Sequence, residues 1–302
     1  MNYLIIITGP TGIGKTKLAI EVAKQFSSDI ISADSRQIYK EMQIGTAVPS
    51  KAELSEVKHH FIQNISIHDY YNVSKYETEV IELISKLHKK NNIVVLTGGT
   101  GLYINAVCKG IDIMPDPNPK IRKGLNDRFN IEGIHVLQEE LKIYDPEYYK
   151  IVDLNNQARL IRALEICYQT GKPYSSFKKS SDKKRNFKTI KIALDTDRTI
   201  LYNRINKRVE LMIEDGLVEE VKELLPHKDL TALKTVGYQE LFSALEGEYS
   251  IEKGIELIQN STRRYARKQI SWIRREKDYK WFEPNQTLEI IDYLTDIITI
   301  ST

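Results

Sequence analysis

Hydrophobic residues in the first hundred positions gather into short continuous runs that alternate with amphipathic stretches. The runs predict buried strands over these ranges: Tyr3–Thr8, Asp29–Ala33, a weaker His60–Ile65, and Asn92–Thr97. Apolar positions three and four apart predict helices over Thr16–Phe26 and Val73–Lys90, the second with Ser74 as its N-cap. This alternation of strand and helix is typical of a parallel α/β sheet.

The pattern changes at MPDPNP (Met114–Pro119), which cannot continue a helix or a central strand. Helical periodicity follows, and TIKIAL (Thr189–Leu194) then restores a strand. We therefore predict an α/β core made of residues 1–114 and 189–302, with a mostly helical insertion at 115–188. The region after the last strand is predicted to be helical over Asp197–Glu214, Val218–Leu225, Val236–Leu245 and Ile251–Lys277.

The first predicted strand leads directly into a glycine-rich motif. Its residues match G-x-x-x-x-G-K-[ST] and are Gly9, Pro10, Thr11, Gly12, Ile13, Gly14, Lys15 and Thr16. In such a loop, backbone N–H groups and the positive end of the following helix face a phosphate group. Lys15 adds positive charge, and the Thr16 hydroxyl suits Mg²⁺. An ordinary glycine turn is the alternative, but strand, loop and helix together favour a P-loop NTPase-like core that binds a diphosphate or polyphosphate.

Two further polar loops follow predicted strands, Asp34–Gln37 and Gly98–Gly101. Because ligands of open parallel sheets bind beyond the carboxyl ends of the strands, we expect both loops to converge on the phosphate loop. Asp34 is a candidate base or metal-side carboxylate, or else a turn residue. Thr100 lies between glycines that allow close approach to a ligand, and its alternative role is to cap a helix at 101–107.

Composition is that of an ordinary globular protein, with 41% hydrophobic and 28% charged residues. The N-terminus lacks a charged region ahead of an apolar core, and no apolar stretch approaches the roughly 20 residues of a membrane span. Cys108 and Cys167 have neither metal-ligand spacing nor a disulfide pattern. We therefore expect a cytoplasmic protein without membrane contact. A monomer is predicted as well, although composition does not determine the oligomeric state.

Positive charge is concentrated in two segments, although the net charge is only +3. Residues 172–191 contain eight Lys or Arg and one acid, and residues 255–280 contain eight against three acids. Each segment alone is compatible with a solvated surface. Their combination with a phosphate-binding loop favours a nucleic-acid partner.

Six sequence blocks occur in an order that resembles one enzyme family. They are GPTGIGKT, ISADSRQIYKEMQIGTA (31–47), TGGTGLYINAV (97–107), ARLIRALEICYQTGKP (158–173), TVGYQEL (235–241) and STRRYARKQISWIRR (261–275). Together they resemble the tRNA dimethylallyltransferase, or tRNA isopentenyltransferase, family of bacterial type. The resemblance implies Mg²⁺-dependent transfer of a dimethylallyl group from dimethylallyl diphosphate. The acceptor would be the exocyclic amine of the adenosine 3′ to the anticodon, in tRNAs that read codons beginning with U.

The resemblance also implies roles for individual residues. Gly9–Thr16 would hold the diphosphate, with Mg²⁺ on Thr16. Asp34 would be the general base, Thr100 would lie beside both substrates, and Arg208 would help to neutralise the diphosphate. The residues implied to contact the tRNA anticodon stem-loop are Asp34, Ser35, Arg36, Gln37, Thr100, Arg122, Gln157, Ala158, Arg159, Leu160, Ile161, Gly237, Tyr238, Gln239, Arg267, Lys268 and Gln269. Tyr265 and Trp272 either stack on bases or pack in the core.

The chain departs from the family pattern at two points. Asn155-Asn156 replaces a common Asn-Asp, and Gln239 stands where some relatives carry a basic residue. Three alternatives remain open from the residues themselves: an ATP-dependent small-molecule kinase, an isopentenyltransferase acting on AMP, ADP or ATP, and a non-catalytic RNA-binding nucleotide switch. The basic C-terminal segment speaks against the kinase, and a switch would not need Asp34.

Overall fold

The computed structural model describes residues 1–178 and 182–300. Lys179, a member of the first basic segment, lies outside the described residues. The chain divides into a unit made of Met1–Lys109 with Lys184–Thr302, and a second unit, Gly110–Lys183. Both boundaries fall five residues before those predicted. Arg185 explains the second one, because it pairs with Glu77 at 2.7 Å and donates to the carbonyl of Ala106 within the first unit.

The described residues of the first unit form a six-stranded, entirely parallel sheet in the order β3-β2-β4-β1-β5-β6. The strands are β1 (Tyr3–Thr8), β2 (Ile30–Ser32), β3 (His59–His60), β4 (Ile93–Gly98), β5 (Lys188–Leu194) and β6 (Tyr279–Phe282). The register sets Thr8 beside both Gly98 and Ala193, so three central strands end at one edge. The predicted α/β core with a parallel sheet is confirmed.

Helices follow in chain order. They are α1 (Lys15–Gln25), α2 (Lys51–Glu56), α3 (Val73–Leu87), α4 (Gly101–Lys109), α5 (Pro119–Glu132), α6 (Ile134–Tyr144), α7 (Pro146–Tyr149), α8 (Gln157–Thr170), α9 (Arg198–Glu214), α10 (Leu217–Leu224), α11 (Tyr238–Leu245), α12 (Ile251–Ile273) and α13 (Thr287–Ile300). Helices α5 to α8 belong to the second unit and enclose a separate core around Leu137, Leu141 and Leu164.

Both faces of the sheet are covered, as a strand buried on two sides requires. Along β1, Ile5 and Ile7 pack with residues of α1, α9, α12 and α13, whereas Leu4 and Ile6 pack with α3 and α4. All six residues of β1 are buried. Burial of each aliphatic side chain stabilises the fold by about 1.5–3 kcal/mol. Strand β1, paired on both sides and buried throughout, is therefore a stable base for the loop that follows it.

Several predicted details differ from the structure. Strand β6 is absent from the all-helical prediction for the C-terminal region, because four residues at the sheet edge are too short to give a strand period. The N-cap of α3 is Asn72 rather than Ser74, since the Asn72 side chain accepts from the amide of Lys75. The predicted strand at His60–Ile65 shrinks to β3 and an isolated bridge between Tyr39 and Ile65.

Among the described residues, no helix has the length and apolar character needed to span a membrane.

Candidate active site

The phosphate loop joins β1 to α1 at the carboxyl edge of the sheet. Gly12 and Gly14 have φ angles of 79° and 103°, which a residue with a side chain rarely adopts. The Lys15 ammonium donates to the carbonyls of Gly9 (3.0 Å) and Pro10 (2.9 Å). The lysine therefore lies folded over its own loop.

Burial, followed by the charge of Arg208, lowers the pKa of Lys15 to about 8, against the opposing effect of the Asp34 charge. Arg208 reaches the same loop from α9 and donates to the Thr11 hydroxyl at 3.4 Å. Burial also lowers the pKa of Arg208, against the charges of Asp34 and Glu53. Two desolvated cations beside a loop of backbone amides favour binding of an anion at this place.

Asp34 follows β2 and lies next to this cationic group. Its Oδ1 atom accepts from the amides of Arg36 (2.8 Å) and Gln37 (3.3 Å), which is the hydrogen bonding of a turn residue. One carboxylate oxygen is thus fixed by the backbone, and Asp34 also lines the main cavity of the unit. The turn role and a catalytic role are compatible.

Thr100 connects the loop after β4 to the loop after β2. Its hydroxyl oxygen accepts from the Ser35 amide at 3.1 Å and lies 3.3 Å from the Ser35 hydroxyl. The Thr100 carbonyl starts α4 by accepting from Tyr103 and Ile104, while the side chain turns toward Ser35. The structure therefore brings the three polar loops together at one edge of the sheet.

A cavity of about 400 Å³ opens beside these loops, entirely within the first unit. Its polar end contains Thr11, Asp34 and Arg208. Apolar side chains from α9, the start of α10 and α12 form an apolar part of its wall, namely Ile205, Val209, Met212, Leu217 and Ile258. A cationic, hydrogen-bonding end and an apolar wall in one cavity suit a ligand with a phosphate head and a hydrocarbon tail.

One wall of the cavity is a loop that includes Gly45, Thr46 and Ala47. Glu220 of α10 holds this loop by accepting from three successive amides, those of Gln43, Ile44 and Gly45, at 2.7–3.0 Å. From the other side, the Gln37 side chain donates to the carbonyls of Thr46 (3.2 Å) and Ala47 (2.9 Å). Sequence analysis did not single out Glu220, because no motif marks a carboxylate about 175 positions from its partners.

The cavity is bounded on a third side by α12. Tyr265 lines it, and burial of the hydroxyl, followed by the charge of Asp34, raises the pKa of Tyr265 to about 12. Trp272 packs across Gly101, where an added Cβ would lie 2.3 Å from the indole ring. Tyr265 is thus available at the cavity, whereas Trp272 packs against the loop after β4.

The residues predicted to contact tRNA fall into different environments. Arg267, Lys268, Ala158 and Arg159 are exposed, and Gly237 and Gln239 line the cavity. Tyr238, Leu160, Ile161 and Gln269 are buried, because helical periodicity turns these positions inward. Arg122 pairs with the fully buried Glu165 at 2.7 Å, Gln157 lies at the start of α8, and Arg36 donates to the carbonyls of Thr231 and Ala232. The exposed and cavity-lining side chains, Arg36 among them, and the half-exposed Arg122 present a surface to a nucleic acid, and the tRNA contacts themselves stay a prediction.

The fold and the site define an α/β protein with a P-loop NTPase-like core. The family model described as IPP transferase matches residues 37–276, so the chain belongs to the IPP transferase family. It is 52% identical over 294 residues to the tRNA dimethylallyltransferase of Christiangramia forsetii, with 97% of both chains covered. It is 46% identical over 291 residues to tRNA dimethylallyltransferase 1 of Bacteroides fragilis, covering 96% of this chain and 97% of the relative.

Solved structures agree with this assignment. The full-length tRNA isopentenylpyrophosphate transferase from Bacillus halodurans superimposes with a TM-score of 0.72 and 32% identity, covering 98% of this chain and 96% of the other. A eukaryotic dimethylallyltransferase acting on tRNA gives a TM-score of 0.82 at 25% identity, covering 99% of this chain and 80% of the other. The resemblance found in the six sequence blocks is therefore confirmed.

Proposed function

We propose that this protein transfers the dimethylallyl group of dimethylallyl diphosphate to the exocyclic amine of the adenosine 3′ to the anticodon. The acceptors are tRNAs that read codons beginning with U, and the products are N6-dimethylallyladenosine and diphosphate. One observation carries the proposal: Asp34, the half-buried Arg208 and a set of apolar side chains line one cavity, and the half-buried Lys15 lies on the phosphate loop whose Thr11 lines the same cavity. The names of the similar enzymes agree with this chemistry.

The two ends of the donor substrate match the two ends of the cavity. The diphosphate lies at the phosphate loop between Lys15 and Arg208. The five-carbon group lies along the apolar wall, against Ile205, Val209 and Met212. At about 0.8 kcal/mol for each buried CH₂, this wall contributes several kcal/mol to binding of the tail. The wall also keeps water from the allylic carbon, which would otherwise be hydrolysed.

The reaction breaks the allylic C–O bond and forms a bond from the adenine nitrogen to the same carbon. The bonding electrons leave with the diphosphate, where negative charge grows, and Lys15, Arg208 and the loop amides stabilise that charge. The amine loses one proton as it bonds. Asp34 is the acceptor for this proton, a contribution on the order of 10²–10⁴ in rate.

Magnesium is the implied cofactor, and the residues fit it. The described residues contain no group of three or more His, Cys, Asp and Glu side chains arranged for a metal. The Thr16 hydroxyl at the start of α1, together with diphosphate oxygens, would supply the hard oxygen ligands that Mg²⁺ takes, since this ion commonly binds through few protein groups. When bound, the ion would neutralise part of the charge that leaves with the diphosphate.

The tRNA contacts the exposed basic face of α12, formed by Arg264, Arg267 and Lys268, and the exposed Arg275 just after the helix. Phosphate contacts of this kind position a nucleic acid without reading its bases. The target adenine leaves the anticodon stack to reach the cavity. The proposed enzyme acts as a monomer, and tRNA as the substrate implies action in the cytoplasm.

A transfer assay tests the proposal. Purified protein is incubated with Mg²⁺, labelled dimethylallyl diphosphate and, separately, total tRNA, AMP or ATP. Label in tRNA alone supports the proposal. Label in the free nucleotides would replace it with a free-nucleotide isopentenyltransferase. No prenyl transfer together with movement of the ATP γ-phosphate would indicate a kinase.

A further inference from the structure

Gln269 connects α12 to the phosphate loop by two hydrogen bonds. Its Oε1 atom accepts from the Thr11 amide at 2.8 Å, and its Nε2 atom donates to the Gly99 carbonyl at 3.0 Å. The side chain is only 7% exposed. Both ends of the amide are therefore used within the protein, one on the loop after β1 and the other on the loop after β4.

The loop after β4 is shaped to admit this side chain. A Cβ at Gly99 would lie 2.1 Å from Gln269 Nε2, so any residue larger than glycine displaces the amide. At the next glycine, Gly101, the absence of a side chain leaves room for Trp272, which lies one turn further along α12. Glycine at these two positions allows the helix to approach the loop closely.

The turn of α12 that carries the buried, neutral Gln269 also carries exposed, positively charged side chains. Arg267 and Lys268 directly precede Gln269 and are both exposed, and Tyr265, one turn earlier, lines the cavity. A helix is rigid over one turn. The same turn would therefore contact a ligand on its basic face and the phosphate loop on its buried face. Gln269 is the side chain of that turn that contacts the loop amide.

We propose that Gln269 is a positioning residue that holds the phosphate loop against α12 and thereby sets the loop for the diphosphate. This inference rests on the proposed function and gives Gln269 a role other than direct contact with tRNA. The neutral amide matters, because it satisfies the Thr11 N–H without placing negative charge beside the diphosphate. Glutamate would keep the acceptor and add such a charge.

Direct binding of inorganic diphosphate with Mg²⁺, measured by calorimetry, tests the role without requiring transfer. Gln269→Met keeps the length of the side chain and removes both hydrogen bonds, and we expect its Kd to rise about 3- to 10-fold. For Gln269→Glu we expect a rise of about 100-fold or more, from repulsion at short range. Gln259→Ala, on the same helix and without any of these contacts, is the matched control and should bind like the parent protein.

Kinetics and tRNA binding separate positioning from contact. Gln269→Met should raise KM for dimethylallyl diphosphate more than it lowers kcat, with the Kd for tRNA within about twofold of the parent value. Unchanged diphosphate binding in Gln269→Met would overturn the proposal, and so would a loss confined to tRNA affinity. Should that variant not fold, Gly99→Ala displaces the same amide from the other side and must weaken diphosphate binding. Absence of prenyl transfer by the parent protein would overturn the proposed function but would leave the diphosphate comparison readable.

Discussion

The hydroxyl of Tyr238 donates a 2.7 Å hydrogen bond to Glu220, although neither residue lines the cavity. The same carboxylate accepts from the amides of residues 43–45, and the Tyr238 ring leaves no room for a side chain at Gly45. Tyr238, fully buried on α11, therefore fixes the carboxylate that fixes the cavity wall.

Glu220→Gln tests the support of the wall. The variant loses one negative charge and one of the acceptors shared by three amides and a hydroxyl, and hydrogen bonds to charged groups contribute about 1.5–3 kcal/mol. We expect the free energy of unfolding in urea to fall by about 1–3 kcal/mol, with KM for dimethylallyl diphosphate raised. Glu223→Gln, an exposed residue on the same helix, is the control. Equal stability of the two variants would contradict the role given to Glu220.

Asp34→Asn tests the proton acceptor with the turn preserved. Asparagine retains an oxygen for the amides of Arg36 and Gln37 but is a far weaker base. We expect single-turnover transfer to fall by about 10²–10⁴, with tRNA affinity within a few-fold of the parent value. Asp34→Ala should be as inactive and also less stable, because it loses the turn. Near-normal turnover of the asparagine variant would remove Asp34 as the base.

Diphosphate binding should weaken as the pH rises through 8. Burial lowers the pKa of Lys15 to about 8, so the side chain is charged below this pH and neutral above it. A neutral lysine no longer attracts an anion, and KM for dimethylallyl diphosphate should therefore rise between pH 8 and 9.5. Lys15→Arg keeps its charge throughout this range and should show a flatter profile, even if its affinity is lower. A parent profile as flat as that of the variant would mean that Lys15 does not titrate there.

Reversing the charges of Arg267 and Lys268 should weaken tRNA binding. Each lost phosphate contact releases about one counterion fewer, so the slope of log K against log salt concentration should become shallower by about two. Filter binding across a salt series gives this slope. Reversal of Lys89 and Lys90, which are exposed just after α3, provides a control of equal charge change. An unaltered slope in the α12 variant would show that this face does not meet the tRNA backbone.

Local signals predicted most of the elements that support the site. Strand β1 has the predicted bounds, and α1 and α4 begin at the expected loops. Asn72 and β6 escaped prediction for different reasons. Ser74 and Asn72 are both good N-caps, and only the hydrogen bond to Lys75 distinguishes them. Strand β6 is defined by its pairing with β5 more than by its own pattern.

The glycines around Thr100 illustrate what is evident from the sequence and what only the tertiary structure shows. Their presence in TGGTG is evident from the sequence and suggests close approach of a ligand. The structure shows that Gly99 and Gly101 admit Gln269 and Trp272 of α12, about 170 positions away along the chain. This contact results from packing of a helix on a sheet edge. It has no periodic pattern in the nearby sequence from which it could be predicted.

The sequence by itself determined the phosphate loop and the parallel sheet, because short strands, a glycine loop and amphipathic helices follow one another along the chain. It also determined the family, because six blocks of residues resemble that family in the same order. Only the tertiary structure decided which side chains hold that loop in place. Gln269 meets Thr11 across 258 positions, and Glu220 meets Gly45 across 175. Such contacts form when the sheet, α10 and α12 pack their apolar faces together, and the polar partners then come within hydrogen-bonding distance as a consequence of that burial.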